Sequence, residues 1–134
     1  NFANEWQQIA TAARTLGALK HQQIRHRLVQ SRMELLAMRW STLRMLTGML
    51  EGRLSPEAYT LKLYWANWHR RLGELAMDVL GPSGAVVGSN YELSSLQRLF
   101  LFSRADTIYA GSNQIQRNLI AERALGLPKD PWRA

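Results

Sequence analysis

The chain has 134 residues, 17 Lys and Arg against 10 Asp and Glu, a formal net charge of +7, 46% hydrophobic content and no cysteine. Such a length suits one globular domain with a core of its own, and the apolar content argues against disorder. No run of about 18 uncharged apolar residues marks a membrane span, no charged-then-apolar opening reads as a signal peptide, and disulfide or thiolate chemistry is excluded within the chain, so a cytoplasmic setting is the expectation.

Asn1 to Leu16 places Phe2, Trp6, Ile9, Ala10, Ala13 and Leu16 at steps of three or four, the period of an amphipathic helix, and Gly17 is placed to end it. The chain opens without methionine in the middle of helical pattern, which implies a piece of a longer protein. From Lys20 to Leu50, Ile24, Leu28, Leu35, Leu36, Leu43, Leu46 and Leu50 trace an apolar stripe along a helix with no proline to break it. Met33, Met38, Met45 and Met49 add adaptable apolar volume, the mark of a core or a subunit interface. The charge is concentrated here: residues 1–54 carry eight Lys and Arg against three acids. Arg25, Arg27, Arg32, Arg39 and Arg44 are spread around the helix as on a solvated face, and they are also able to meet nucleic-acid phosphates, a nucleotide cofactor or an acidic partner.

Ser55-Pro56-Glu57 reads as a helix start, with Ser55 as cap and Pro56 at the first position. Leu61, Trp65, Trp68, Leu72, Leu75 and Val79 follow in a helical stripe, so a helix over Pro56–Leu80 is predicted with both tryptophans in the core. Gly81-Pro82-Ser83-Gly84 ends it in a loop. Ser89-x-x-Glu92 has the spacing of a capping box and predicts a short helix carrying Leu93, Leu96, Leu99 and Phe100; Leu101 and Phe102 imply that this helix is buried. Ala85-Val86-Val87 is the one stretch with any strand character. The pattern is all-α, an up-and-down four-helix bundle with an additional short helix.

Two features near the end bear on chemistry. Gly111 permits a tight turn, Ser112 and Asn113 are helix caps, Ile115, Leu119 and Ile120 share a face, and Gly126 and Pro128 stop the helix. A helix start of this kind leaves N–H groups free for a phosphate or another polar edge. Asp106 is the nearby carboxylate, and a helix-end or surface role is expected for it in preference to that of a base. The histidines predict no metal site: His21 and His26 are five apart and His69 stands alone.

The run Ile-Tyr-Ala-Gly-Ser-Asn-Gln-Ile-Gln-Arg-Asn-Leu-Ile-Ala-Glu-Arg, residues 108–123, resembles the signature near the C-terminus of acyl-CoA dehydrogenases, flavoenzymes that oxidise acyl-CoA thioesters between Cα and Cβ. The likeness extends from roughly residue 20 to residue 131 and implies the family's C-terminal helical domain, residues 1–134 forming one bundle domain of a longer protein. It further implies FAD as cofactor, an acyl-CoA substrate, electron-transfer flavoprotein as acceptor, and assembly as a homo- or hetero-tetramer without nucleic acid or membrane. By the same resemblance Ser112, Asn113 and Gln114 lie along FAD, Gly111 faces substrate, and Asp78, Val79, Leu80, Gly81 and Pro82 form a run that approaches the flavin nucleotide of a neighbouring subunit. Asp78 departs from the glutamine many members carry, and an acid there would repel phosphate.

Many members also have, before the turn glycine, a glutamate that takes the α-proton; here it is Ala110, whose methyl group accepts no proton. Two readings follow. Either the base comes from an earlier helix of the same protein, or this is a base-lacking subunit whose partner supplies it, as in actinobacterial heterotetramers acting on steroid side chains. A rival of another class is a basic helical nucleic-acid-binding or scaffold module.

Overall fold

The computed structural model describes residues 1–53 and 56–129. The chain forms an up-and-down helical bundle of α1 (Phe2–Thr15), α2 (Gln22–Leu50), α3 (Leu61–Leu80) and α4 (Ser95–Ala105), with a short α5 (Asn113–Leu119) that runs on into a π turn at Ile120–Ala124. No strand occurs among the described residues, and Ala85 lies in a 3₁₀ turn, Gly81–Ala85, that follows α3.

α3 is the axis of the fold, because its broad apolar face meets α1, α2 and α4 at once. Trp68, Leu72, Leu75, Ala76 and Val79 are buried on it, against Ile9 and Ala13 of α1, Leu28 and Met38 of α2, and Leu96 and Leu99 of α4. Trp68 is wholly buried as its spacing predicts, and its indole Nε1 donates to the Ser31 carbonyl at 3.0 Å. Trp6 of α1 donates to the Ser31 hydroxyl at 3.0 Å, so one small polar residue of α2 satisfies two aromatic side chains. Gly73 lets α3 and α4 touch: a Cβ there would stand 2.4 Å from Ser103 Oγ and 3.0 Å from Phe100 Cα.

Four boundaries or environments differ from the sequence expectations. α2 begins at Gln22, after a 3₁₀ turn at Ala18–Lys20 that the left-handed Gly17 sets up. α3 begins at Leu61, because Pro56–Tyr59 close into a 3₁₀ turn locked by the Thr60 hydroxyl on the Glu57 carbonyl at 2.7 Å; the predicted cap Ser55 lies outside the described residues.

The capping box is real but sits five residues later than predicted. Ser94 accepts from the Gln97 N–H at 3.3 Å and Gln97 Oε1 accepts from the Ser94 N–H at 2.8 Å, while Ser89 lies in a turn closed by Gly88 and Glu92. Gln97 prevails over Glu92 because its buried amide also donates to the carbonyls of Gly84 and Val86, pinning the preceding loop onto α4. Leu101 and Phe102 do not bury within this chain; Phe102 is 63% exposed.

Candidate functional site

The segment after α4 enters its turn through two left-handed residues, Ala110 at φ 52° and Gly111 at φ 98°. Alanine pays a steric cost there that glycine does not, so the surroundings must hold the turn. Gln116, buried one turn into α5, reaches back and donates its amide to the Ala110 carbonyl at 3.1 Å. A Cβ on Gly111 would fall 2.6 Å from that same Gln116 Nε2, so glycine is required both for φ and for the tie. Ser112 caps α5 as its position predicts, accepting from the Ile115 N–H at 3.5 Å.

Asn113 is engaged in the fold: its side chain donates to Asn67 Oδ1 of α3 at 2.9 Å. Gln114 is exposed, and no protein partner engages its amide among the described residues. Of the predicted trio, Ser112 retains a hydroxyl hydrogen to donate and Gln114 a whole amide, whereas Asn113 docks α5 on α3. Ile115 is largely exposed, while Leu119 and Ile120 are half-buried.

The other predicted run lies at the far end of α3. Asp78 forms an ion pair with Arg27, which offsets the repulsion its charge would offer a phosphate. Val79 is buried in the core and Leu80 packs against it, so Asp78 and the backbone of Gly81 and Pro82 are what this run presents outward. Gly81 takes φ 59° as the turn off α3. Asn67, where the Ser112 turn docks, and Gly81 are separated by most of α3, roughly 20 Å at ~1.5 Å per residue. The two runs do not converge on one site within this chain.

Beneath the turn lies a polar cluster that the sequence reading does not bring together, although Asp106 does take the helix-end position expected of it. Asp106, at the end of α4, is not on the surface but 1% exposed. Its carboxylate accepts from His69 Nδ1 of α3 and, at 2.7 Å, from the Tyr109 hydroxyl, and its backbone carbonyl accepts from Lys62. His69, 3% exposed, is not alone: its Nε2 also meets Glu5 of α1 at 3.1 Å. Both carboxylate oxygens of Asp106 are thus engaged within the protein. Among the described residues no group of His, Asp and Glu is arranged to hold a metal ion.

Burial pulls the His69 pKa down, but the hydrogen bonds and charges of Glu5 and Asp106 outweigh it and hold the imidazole above its ordinary range. The His69 hydrogen bond, against the opposing effect of burial, keeps Glu5 below the usual carboxylate range. The hydrogen bond to Asp106 raises Tyr109, and burial lowers Lys62.

These shifts predict a pH profile. His69 binds its proton more tightly folded than unfolded, so its contribution is complete below about 6.5 and is lost as pH rises through the higher folded value. Glu5 contributes above about 4.5 and its share is lost as pH falls through its lowered value. Thermal unfolding across pH should therefore show a plateau between these limits with declines on both sides, and His69→Phe should abolish the first part of the alkaline decline, leaving the later part to which Tyr109, with its raised value, contributes. An alkaline limb unchanged in His69→Phe would remove this histidine from the account.

The arginines of α2 do not assemble a phosphate-binding block. Arg27 pairs with Asp78, Arg44 pairs with Glu57 at 2.9 Å, Arg25 donates to the carbonyls of Leu19 and Lys20, and Arg32 lies over the Trp6 ring.

This antiparallel bundle, with a left-handed turn feeding a capped helix, is the architecture of an acyl-CoA dehydrogenase C-terminal domain, and the family model "Acyl-CoA dehydrogenase, C-terminal domain" matches residues 3–125. The chain belongs to that family. The match includes α1, which the sequence resemblance leaves out. It is 50% identical over 129 residues to acyl-CoA dehydrogenase IpdE1 of Mycolicibacterium smegmatis and 46% identical to acyl-CoA dehydrogenase IpdE1 of Mycobacterium tuberculosis, in each case over 96% of this chain. Those alignments cover 32% and 33% of the relatives, so the chain spans about a third of their length. Among solved structures, the Tcur3481-Tcur3483 steroid ACAD superposes with a TM-score of 0.80 over 96% of this chain and 35% of its own, at 22% identity, which is a likeness of fold.

Proposed function

We propose that residues 1–134 are the single C-terminal bundle domain of a longer FAD-dependent acyl-CoA dehydrogenase, where they help to hold the cofactor and to assemble the subunits. The observation that carries the proposal is the turn at Ala110-Gly111-Ser112, a backbone shape maintained at steric cost by Gln116 and opening onto α5 with polar groups to spare. The residues present fit the cofactor's polar edge: Ser112 and Gln114 have unused hydrogen-bonding capacity, and the glycine excludes a Cβ from the approach. FAD, when bound, supplies the acceptor for the hydride that leaves the acyl Cβ. Gly111 lines the path of the thioester.

The Gly81-Pro82 corner, at the far end of α3 from the Ser112 turn, serves the cofactor of a neighbouring subunit, a reading that the separation of the two runs supports. That division calls for at least one neighbouring subunit, and the family resemblance extends this to a tetramer. The relatives are named acyl-CoA dehydrogenases and the solved neighbour a steroid ACAD, which favours an acyl-CoA thioester of a steroid as substrate; electron-transfer flavoprotein as acceptor and a cytoplasmic location are carried over from the family resemblance alone.

Ala110 is exposed and carries no acidic group, and Asp106 is tied up beneath it, so the turn supplies no base. We assign the chain to the base-lacking subunit of a heterotetramer. Replacing Ser112 and Gln114 together by Ala in the full-length protein should leave the long helices intact, fray at most the start of α5 that Ser112 caps, and lower the flavin retained after dialysis by about tenfold, the loss of one or two net hydrogen bonds. Undiminished flavin occupancy in that double variant would take both residues out of the cofactor site.

A further inference from the structure

His69 stands between two carboxylates that differ in how freely they can move. The Asp106 side chain is enclosed, at 1% exposure, with one oxygen on His69 Nδ1 and the other on the Tyr109 hydroxyl. Glu5 of α1 meets Nε2 at 3.1 Å from a side chain that is 28% exposed. These two acids are the charges that act on the imidazole. Lys62, on the same helix as His69, reaches the backbone carbonyl of Asp106, and Arg98 of α4 lines the groove onto which Glu5 and His69 open.

An imidazolium has an N–H for each acid, whereas a neutral imidazole has one to share. That one stays on Nδ1, because Asp106 is closed off from solvent and stripping a donor from an enclosed carboxylate is the costlier loss. Nε2 then turns a lone pair toward a carboxylate 3.1 Å away, and the half-exposed Glu5 is the side able to leave. Space for it is present: a groove of about 720 Å³ lies between α1 and α4, lined by Asn4, Gln8, Arg98 and Phe102 among others. Arg98 bonds the Leu93 carbonyl and has no acid on it among the described residues, so a released Glu5 has a cation to turn to.

The rest of α1 is held without the histidine. Ile9 and Ala13 are wholly buried, and Trp6 Nε1 donates to the Leu28 carbonyl and the Ser31 hydroxyl of α2. What Glu5 secures is the opening of the helix, where the Phe2 ring lies 5.0 Å from that of His69.

We infer that Glu5 and His69 form a proton-dependent latch on the first turns of α1, closed while the imidazole is charged and released when it is neutral, and that the release is one-sided, leaving Asp106 and the turn it anchors in place. Two carboxylates of unequal freedom on one imidazole are what give the device its direction. The inference is independent of the flavoprotein reading above.

The test takes the full-length protein from about pH 6 to about pH 10. Deuterium exchange at the imidazole C2–H, read by mass spectrometry, follows the His69 proton. Amide exchange in the same samples, corrected for its intrinsic pH dependence, follows residues 4–8 of α1 and the Ile108 and Tyr109 amides, which bond the Ala105 carbonyl. Protection of residues 4–8 should fall by about tenfold or more as His69 loses its proton, the loss of one charge-assisted hydrogen bond, while Ile108 and Tyr109 keep theirs. Glu5→Gln should flatten the response, because a carboxamide accepts from an imidazolium and donates to a neutral imidazole, and it should bring the His69 transition down by about one pH unit. Glu5→Ala should leave residues 4–8 weakly protected throughout. Three results overturn the inference: protection of α1 that does not follow the His69 proton; the unmodified pH step persisting in Glu5→Gln; or loss of protection at Ile108 and Tyr109 together with α1, which places the release on the Asp106 side.

Discussion

Asp106→Ala is expected to destabilise the helical domain by about 3–5 kcal/mol, the usual cost of removing one partner from a buried ion pair. The carboxylate is enclosed between α3 and the turn, and its loss strips an acceptor from His69 and from the Tyr109 hydroxyl at once. His69 then stays buried with one acid in place of two, and the left-handed turn at Ala110 loses the anchor that Tyr109 gives it from below. Converting both members together, His69→Leu with Asp106→Leu, should recover much of the loss, because Glu5 is partly exposed and can turn to water once the imidazole is gone. Amide exchange on α3 in the full-length protein, which reports the opening free energy of that helix, measures both variants. A single variant that costs no more than an ordinary surface change would mean that the cluster does not hold the domain together.

The long helices are legible in the sequence because their apolar residues keep a period near 3.6 over many turns, and the α3 stripe from Leu61 to Val79 also identifies Trp68 as core. The capping box shows where such reading fails. Ser89-x-x-Glu92 and Ser94-x-x-Gln97 satisfy the same local rule, and only tertiary contact, the Gln97 amide on the Gly84 and Val86 carbonyls, decides between them.

The polar cluster was partly within reach. His69 falls on the same helical face as Trp65, Leu72 and Ala76, and a titratable group on a buried stripe must find partners. What the pattern does not reveal is that they are Glu5 and Asp106, which lie 64 and 37 residues away in the chain. The exposure of Leu101 and Phe102 likewise marks the limit of periodicity, which tells an apolar face from a polar one but not whether its cover lies in the same domain.

Ala110→Glu has the largest expected effect on function. Removing a proton from the α-carbon of a thioester requires a carboxylate placed within hydrogen-bond reach, and general-base contributions of this kind are worth about 10²–10⁴ in rate. The backbone at position 110 is already left-handed, so glutamate meets the same steric cost that alanine now bears, and its side chain would leave an exposed position without displacing the core. Gln116 still ties the turn, since it binds the backbone carbonyl and not the side chain. The Ser112 and Gln114 groups are unaffected, so cofactor retention should not change and turnover should be what responds.

Turnover of an acyl-CoA thioester by the full-length, flavin-loaded subunit, purified without a partner, is the direct measure of the central claim. The account predicts no turnover by the unmodified subunit alone and its appearance either on co-expression with a partner subunit that carries the base or in Ala110→Glu. Robust oxidation by the unmodified subunit alone would contradict the account and place the base upstream in the same chain.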